Sequence, residues 1–258
     1  MRIVTGGRMD VKAKLENVTL VLSNPKYPGN VGSIARCAKN FGIDRISVAG
    51  SINLDPEGMK QMSTHFAADI VDQIFYFEGI DEALSSFQYI VGTTARKGAV
   101  RGPVASPREL APRLADLSQN NTIAFLFGPE DSGLTNEEIR YCHTVVTIPT
   151  ADDFRSLNLS HAVMILCYEL FTASVDTLKT FAPAMATSRE LEGMYGQIRE
   201  LLLKIGFLNP ENPDYWMMHL RRLFFRVRLT SREVKIIRGI CRQLAWYLDR
   251  KTLDIKTP

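Results

Sequence analysis

Cysteine is scarce and never paired: Cys37, Cys142, Cys167 and Cys241 are the only four in 258 residues, and no C-x-x-C occurs. A disulfide scaffold is thereby excluded, and the pattern is that of buried thiols in a reducing compartment. Histidine is as thin, and His65, His143, His161 and His219 are never spaced so that two share a helix face as metal ligands. No metal site is expected. No apolar run approaches the roughly 18–20 residues of a membrane span, and the polar, basic start from Met1 to Lys14 lacks the apolar core of a secretory signal. The expectation is a cytoplasmic protein without a membrane partner. Missing too are a G-x-G-x-x-G after the first strand and any G-x-x-x-x-G-K-[ST], which argues against dinucleotide and P-loop readings.

What is present is a core-forming composition, 45% hydrophobic, with an uneven distribution of charge. The net charge of +3 conceals it: from residue 188 onward 14 Lys+Arg face 8 Asp+Glu, whereas residues 1 to 187 hold 17 against 20. A basic last quarter points to a polyanion, of which nucleic acid is the commonest.

Up to about residue 173 the chain alternates strands and helices, the signature of a parallel sheet with crossover helices. Asn17 to Ser23 is a near-continuous apolar strand, expected to be central. A two-proline loop, Asn24 to Asn30, leads into a helix from about Val31 to Phe41 that closes at Gly42. Strands follow at Arg45 to Ala49, Ile74 to Phe77, Tyr89 to Thr93, Ile123 to Phe127 and Val145 to Ile148. Ser106 with Glu109, and Thr135 with Glu138, match capping boxes at two helix starts.

Three strand ends run into loops on one side, Thr93 to Gly98, Gly128 to Gly133 and Pro149 to Ser156, and open α/β sheets hold ligands at that carboxyl edge. Gly128 serves either the turn geometry or the close approach of a ligand. In N-x-G-S-x-x-R, Asn30, Ser33 and Arg36 occupy a helix start, either as a phosphate site or as an Asn cap with a solvated arginine. The helix Asn158 to Ala173 is apolar around most of its circumference, so it is buried inside the domain or at a subunit interface.

Residues 178 to 188 have linker composition, and beyond them the sequence reads as three helices, Arg189 to Ile205, Tyr215 to Arg226 and Ser231 to Asp249. Leu220, Leu223, Phe224 and Val227 are interleaved with Arg221, Arg222, Arg226 and Arg228, and the last helix adds Arg232, Lys235, Arg238 and Arg242. The apolar stripe is expected to pack inward, with the cations facing RNA or simply solvent.

Three stretches taken together, Asn30-x-Gly32-Ser33-x-x-Arg36, Phe127-Gly128-x-Glu130-x-x-Gly133-Leu134 and Ser156-Leu157-Asn158-Leu159-Ser160, resemble the three motifs of SpoU-type RNA methyltransferases of the SPOUT superfamily. The tail, with Gly206-Phe207 and Leu220-Arg221-Arg222-Leu223-Phe224, is similar to the C-terminal extension of the TrmJ branch. The resemblance implies an α/β fold, a parallel sheet with crossover helices whose C-terminal part is threaded into a deep trefoil knot, followed by a small helical domain. The chain is expected to divide into an N-terminal extension (1–16) whose order is left open, a methyltransferase domain (17–177), a linker (178–188) and a helical RNA-binding extension (189–258).

The resemblance further implies S-adenosylmethionine as methyl donor, a homodimer, and tRNA as substrate, methylated on the ribose 2′-oxygen of cytidine or uridine 32 in the anticodon loop. Donor binding falls on Thr93, Thr94, Ala95, Gly128, Ile148, Arg155, Ser156 and Leu157. Asn30, Arg36, Glu130, Ser156 and Asn158 match the residues around the reacting ribose, and Arg96, Lys97, Arg221, Arg222 and Arg226 those expected to hold RNA. A guanidinium stays protonated at ordinary pH, so Arg36 suits holding a phosphate and stabilising a developing alkoxide better than acting as base. Gly98 stands where many of the branch carry an arginine, with Lys97 and Arg101 nearby. The alternatives are the same chemistry on another tRNA position or on ribosomal RNA, and an RNA-binding protein that kept the fold without turnover. A flavodoxin-like oxidoreductase also suits the alternation but lacks a phosphate loop.

Overall fold

The computed structural model describes residues 10–50, 53–95, 104–176 and 183–254, which divide into two compact units at residues 183 and 184. The first holds β1 (Asp10–Lys12), β2 (Val18–Ser23), α1 (Pro28–Asn40), β3 (Arg45–Ala49), α2 (Pro56–Ser63), α3 (Ala68–Asp72), β4 (Phe75–Phe77), α4 (Ile80–Leu84) and β5 (Tyr89–Thr93). It continues with β6 (Val104–Ala105), α5 (Pro107–Leu117), β7 (Ile123–Phe127), α6 (Asn136–Ile139), β8 (Thr144–Val146), α7 (Leu159–Thr172) and β9 (Ser174–Asp176). The second holds α8 (Ser188–Lys204), α9 (Pro213–Val227) and α10 (Ser231–Asp254).

Seven strands form one sheet in the order β4-β3-β2-β7-β5-β8-β6, every pairing parallel. The expected parallel α/β architecture is present. The strands expected from continuous apolar runs lie at its centre: all of β2 and β7 is buried, and truncating a side chain such as Leu126 to alanine there costs about 2–5 kcal/mol. The chain leaves β7, passes through α6 and returns as β8 on the far side of β5, so the ends of β7, β5 and β8 stand side by side. Gly92 is level with Leu126, and Thr93 with Val146.

Both predicted capping boxes form, at Ser106–Glu109 and Thr135–Glu138, each contributing about 1 kcal/mol to its helix start. Glu138 does more than cap. Its buried carboxylate also accepts from the Ser23 hydroxyl at the end of β2, tying α6 to the sheet. His143 is a packing residue: its Nδ1 accepts from the Ile90 backbone N–H at 3.1 Å and its ring stacks on Tyr89. Burial, aided by the Arg113 guanidinium, pushes its pKa down to about 4.

Some expectations require correction. Helix α1 begins at Pro28 rather than Val31, because proline at the first helical position loses no hydrogen bond and arrives with its φ already helical. Asn30 is therefore inside the first turn and not the cap. Within the N-terminal extension, whose order the sequence left open, Asp10–Lys12 pair antiparallel with Ser174–Asp176. Helix α7, expected inside the domain or at a subunit interface, needs no such correction: it packs Val163, Leu166, Cys167 and Leu170 against α1 and α5 and leaves Met164, Tyr168 and Phe171 exposed.

In the helical unit, Leu191, Met194, Tyr195, Met217 and Val234 form the core. Leu220 and Phe224 pack against it as expected, but Leu223 and Val227 are 53% and 57% exposed. Arg221 is turned inward: its guanidinium makes a two-pronged ion pair with Glu192, one arm at 2.6 Å, and lies 4.4 Å from the centre of the Tyr195 ring. Among the described residues no helix is long and apolar enough to cross a membrane, and no three His, Cys, Asp or Glu residues gather as metal ligands.

Candidate active site

The register of the sheet builds the first cavity. Because β5, β7 and β8 end level with one another, the segments that follow them are forced to share one edge. Between these segments lies a space of about 250 Å³. Thr93, Thr94 and Ala95 line it from β5, the turn Gly128 to Leu134 from β7, and Ile148, Arg155, Ser156 and Leu157 from the loop after β8. Every residue expected to hold a donor thus faces one cavity. Its walls combine apolar side chains, Leu134, Val146 and Leu159, with the backbone of the turns. The Thr94 N–H is already committed to the Val146 carbonyl at 2.9 Å, which holds the β5 segment against β8.

The two readings of Gly128 are separated by its surroundings. A methyl group on its Cα would stand 2.3 Å from the Gly133 carbonyl carbon and from the Leu134 nitrogen, so the glycine is required because the turn folds back onto itself. The turn is closed by the Gly133 N–H donating to the Pro129 carbonyl at 2.8 Å, with Gly133 at φ +61°. Gly32 is likewise a packing glycine, since a Cβ there would lie 2.0 Å from the Met59 carbonyl oxygen of α2.

A second, wider space of about 700 Å³ opens beside the first and shares Glu130, Ser156 and Leu157 with it. Its polar wall is one hydrogen-bonded chain drawn from all three motifs. The Asn158 side-chain amide donates to the Asn30 carbonyl oxygen at 3.0 Å, and the Asn30 amide donates to Glu130 at 2.9 Å. Glu130 also accepts from the Lys26 backbone N–H at 2.9 Å and from that of Tyr27 at 3.4 Å. Asn158 is held in turn as the cap of α7, accepting from the Ser160 N–H at 2.9 Å and from its hydroxyl at 2.7 Å. Each side chain is thus oriented by at least one other before any ligand arrives.

Lys26 and Asp131 close a clamp between the loop after β2 and the turn after β7. Their mutual attraction raises the lysine pKa and lowers that of the aspartate, although both are exposed. The sequence did not point to this clamp, nor to Tyr27 and Phe154, exposed aromatics that line the second cavity. Tyr27 stands between two prolines, which was the available signal.

Not every expected residue joins the site. Arg36 is exposed on α1 and lines neither cavity. Arg96 and Lys97 lie outside the described residues. Arg221 is committed to Glu192, while Arg226 is exposed on α9.

Residues 17–168 match the family described as SpoU rRNA Methylase. The chain belongs to that family. The resemblance first seen in three short motifs is therefore borne out over residues 17–168. Residues 189–254 match the C-terminal domain of the tRNA methyltransferase TrmJ. A relative from Pectobacterium atrosepticum, a tRNA (cytidine/uridine-2′-O-)-methyltransferase TrmJ, is 34% identical over 231 residues, covering 88% of this chain and 95% of its own. The Pseudomonas aeruginosa tRNA (cytidine/uridine/adenosine-2′-O-)-methyltransferase TrmJ is 35% identical over 239 residues, covering 88% and 93%. Among solved structures, TrmJ from Z. mobilis ZM4 superposes with a TM-score of 0.75 at 27% identity, covering 88% of this chain and 98% of its own.

Proposed function

We propose that this SpoU-family chain transfers a methyl group from S-adenosylmethionine to a ribose 2′-oxygen of tRNA, at cytidine or uridine 32 of the anticodon loop. The observation that carries the reading is the junction of the two cavities at Glu130, Ser156 and Leu157. A donor in the smaller space and a ribose in the larger would meet across those residues. The relatives named above, which are tRNA 2′-O-methyltransferases, support the substrate class.

The first cavity suits an adenosyl compound in its donor set: apolar Leu134, Val146 and Leu159 for a flat ring, and the polar turn Gly128 to Gly133 with Thr93 and Arg155 for the ribose and charged ends. Bound there, S-adenosylmethionine supplies an electrophilic methyl on a sulfonium sulfur. What this chain adds is placement. The Asn158, Asn30 and Glu130 chain fixes the wall against which the ribose rests, and a near-attack separation of ~3–3.5 Å supplies several kcal/mol of the barrier. With its oxygens already taking three donors, Glu130 acts as a positioning group. Arg36 holds an RNA phosphate and favours the developing alkoxide. Because it lines neither cavity of its own chain, the reading lets it serve this protomer or its partner.

The same reading makes the protein a homodimer through the exposed Met164, Tyr168 and Phe171 of α7, and makes the helical unit an RNA-binding extension through its exposed cations. The sheet order β7-β5-β8, with α7 packed back on α1 and α5, supports a trefoil knot closed by the segment after β8. Transfer of labelled methyl to total tRNA followed by nucleoside mapping tests the proposal. Label in 2′-O-methylcytidine or 2′-O-methyluridine at position 32 is the expected result. Donor and tRNA binding without transfer would leave the non-catalytic alternative standing.

A further inference from the structure

Beside the second cavity the chain makes a turn in an unfavourable conformation. Thr64, which ends α2, stands at φ +62° and ψ +165°, a left-handed region that a β-branched residue rarely enters. The turn is nevertheless pinned. Ser63 is fully buried, with its hydroxyl directed at the carbonyls of Lys60 and Thr64 at 3.1 and 3.2 Å, and the Ala67 N–H donates to the Thr64 carbonyl at 3.2 Å. Such strain persists only where the surroundings over-determine it, and it marks positions where side chains are held for a purpose.

The side chains held here are His65 and Phe66. Phe66 is 73% exposed, and its ring centre lies 3.8 Å from that of His65. One residue before the buried Ser63, Met62 lines the second cavity together with Asn30 and Glu130, so Phe66, four residues on, lies no more than about 14 Å of chain from a wall of the space assigned to the target ribose. Two lysines of α1 and α2 are paired with carboxylates around the turn: Lys60 with Asp72 at 2.7 Å, and Lys39 with Asp69. An exposed, flat aromatic face suits a nucleobase better than a phosphate.

We propose that Phe66, backed by His65, is a stacking platform for the base of a nucleotide adjacent to the methylated one. The inference rests on the reading of the second cavity as the ribose site. A polynucleotide that places one ribose there must carry its neighbours over the rim, and an exposed aromatic face captures a base of any identity.

The test uses the full chain and anticodon stem-loop RNAs carrying 2-aminopurine on either side of the methylated nucleotide. Wild-type protein quenches one of the two positions. Phe66→Ala restores most of that fluorescence and weakens RNA use about tenfold, chiefly in KM rather than kcat, as loss of one base–aromatic stack implies. Donor affinity is unchanged, Phe66→Trp recovers both signals, and Phe66→Leu recovers neither. The platform is overturned by equal quenching in wild type and Phe66→Ala, by a fully active Phe66→Leu, or by a shift of Phe66→Ala toward monomer in sedimentation, which would give this face to a second copy. Failure of the wild type to methylate any RNA would instead sink the function proposed above, while the quenching result still decides the platform.

Discussion

The two units use polar residues in opposite ways. In the sheet unit, side chains 100 and 128 residues apart in sequence converge on Asn30 and are locked by one another. In the helical unit the cations are spread along all three helices, and the apolar Leu223, Val227, Ile236 and Ile240 of α9 and α10 stand exposed. Convergence creates a place where geometry can be exact to a fraction of an ångström. Display creates a surface whose affinity comes from many weak, screened interactions. Chemistry belongs to the first arrangement and capture to the second, so damage should change turnover in one unit and salt-dependent affinity in the other.

The sharpest break is expected at Arg36. Arg36→Ala should reduce methyl transfer by about a hundredfold or more, the scale of losing a group that stabilises charge in the transition state. Donor affinity measured by calorimetry should hardly move, since Arg36 lines no part of the first cavity. Lost donor binding would place Arg36 in the cofactor site and refute its assignment to RNA. Next comes Gly128→Ala, which puts a methyl group 2.3 Å from the backbone of Gly133 and Leu134. The turn must open, and donor affinity should fall at least about tenfold, a change worth about 1.4 kcal/mol. Unchanged affinity would show that the turn can relax without deforming the cavity.

Removing the helical unit by ending the chain at Pro183 tests the other half of the comparison. The sheet unit keeps its own core, so donor binding should persist. Affinity for tRNA should fall, and the slope of log affinity against log salt should become shallower by about 0.7–0.9 for each phosphate no longer neutralised. An unaltered slope would take the helices out of the RNA site altogether.

The comparison also explains what could be anticipated from the residues. Ile123–Phe127 and Tyr89–Thr93 were legible to the residue because a strand buried on both faces leaves a continuous apolar run. The three loops of the first cavity followed from strand order alone. Strand β8 was expected to reach Ile148 but ends at Val146, where its outer neighbour, the two-residue β6, runs out. The resemblance brought Asn30, Glu130 and Asn158 together, but not the hydrogen bonds that link them, because no local pattern encodes an interaction across a hundred residues. The exposure of Arg36 matches the solvated arginine that was one of its two readings. The strained turn at Thr64, which belongs to no regular motif, was hidden.

Arg221 and Arg226 bring the contrast down to a single helix, five residues apart and alike in sequence. Arg221 is only 21% exposed, pairs with Glu192 on α8 and covers the Tyr195 ring, so it fastens α9 to α8. Arg226 is exposed on the same helix. Arg221→Ala should therefore destabilise the helical unit by about 2 kcal/mol, because it removes a two-pronged charged hydrogen bond and the guanidinium lying on the Tyr195 ring at one stroke. Its effect on tRNA affinity at low temperature, where the unit remains folded, should be small. Arg226→Ala should do the reverse, leaving urea unfolding unchanged while weakening tRNA binding a few-fold and lowering the salt slope by about one phosphate's share. Unfolding curves and tRNA titrations at two salt concentrations separate the pair. If Arg221→Ala instead lowers the salt slope with no loss of stability, this arginine leaves Glu192 for phosphate when RNA binds, and the division between fastening and display fails at that position.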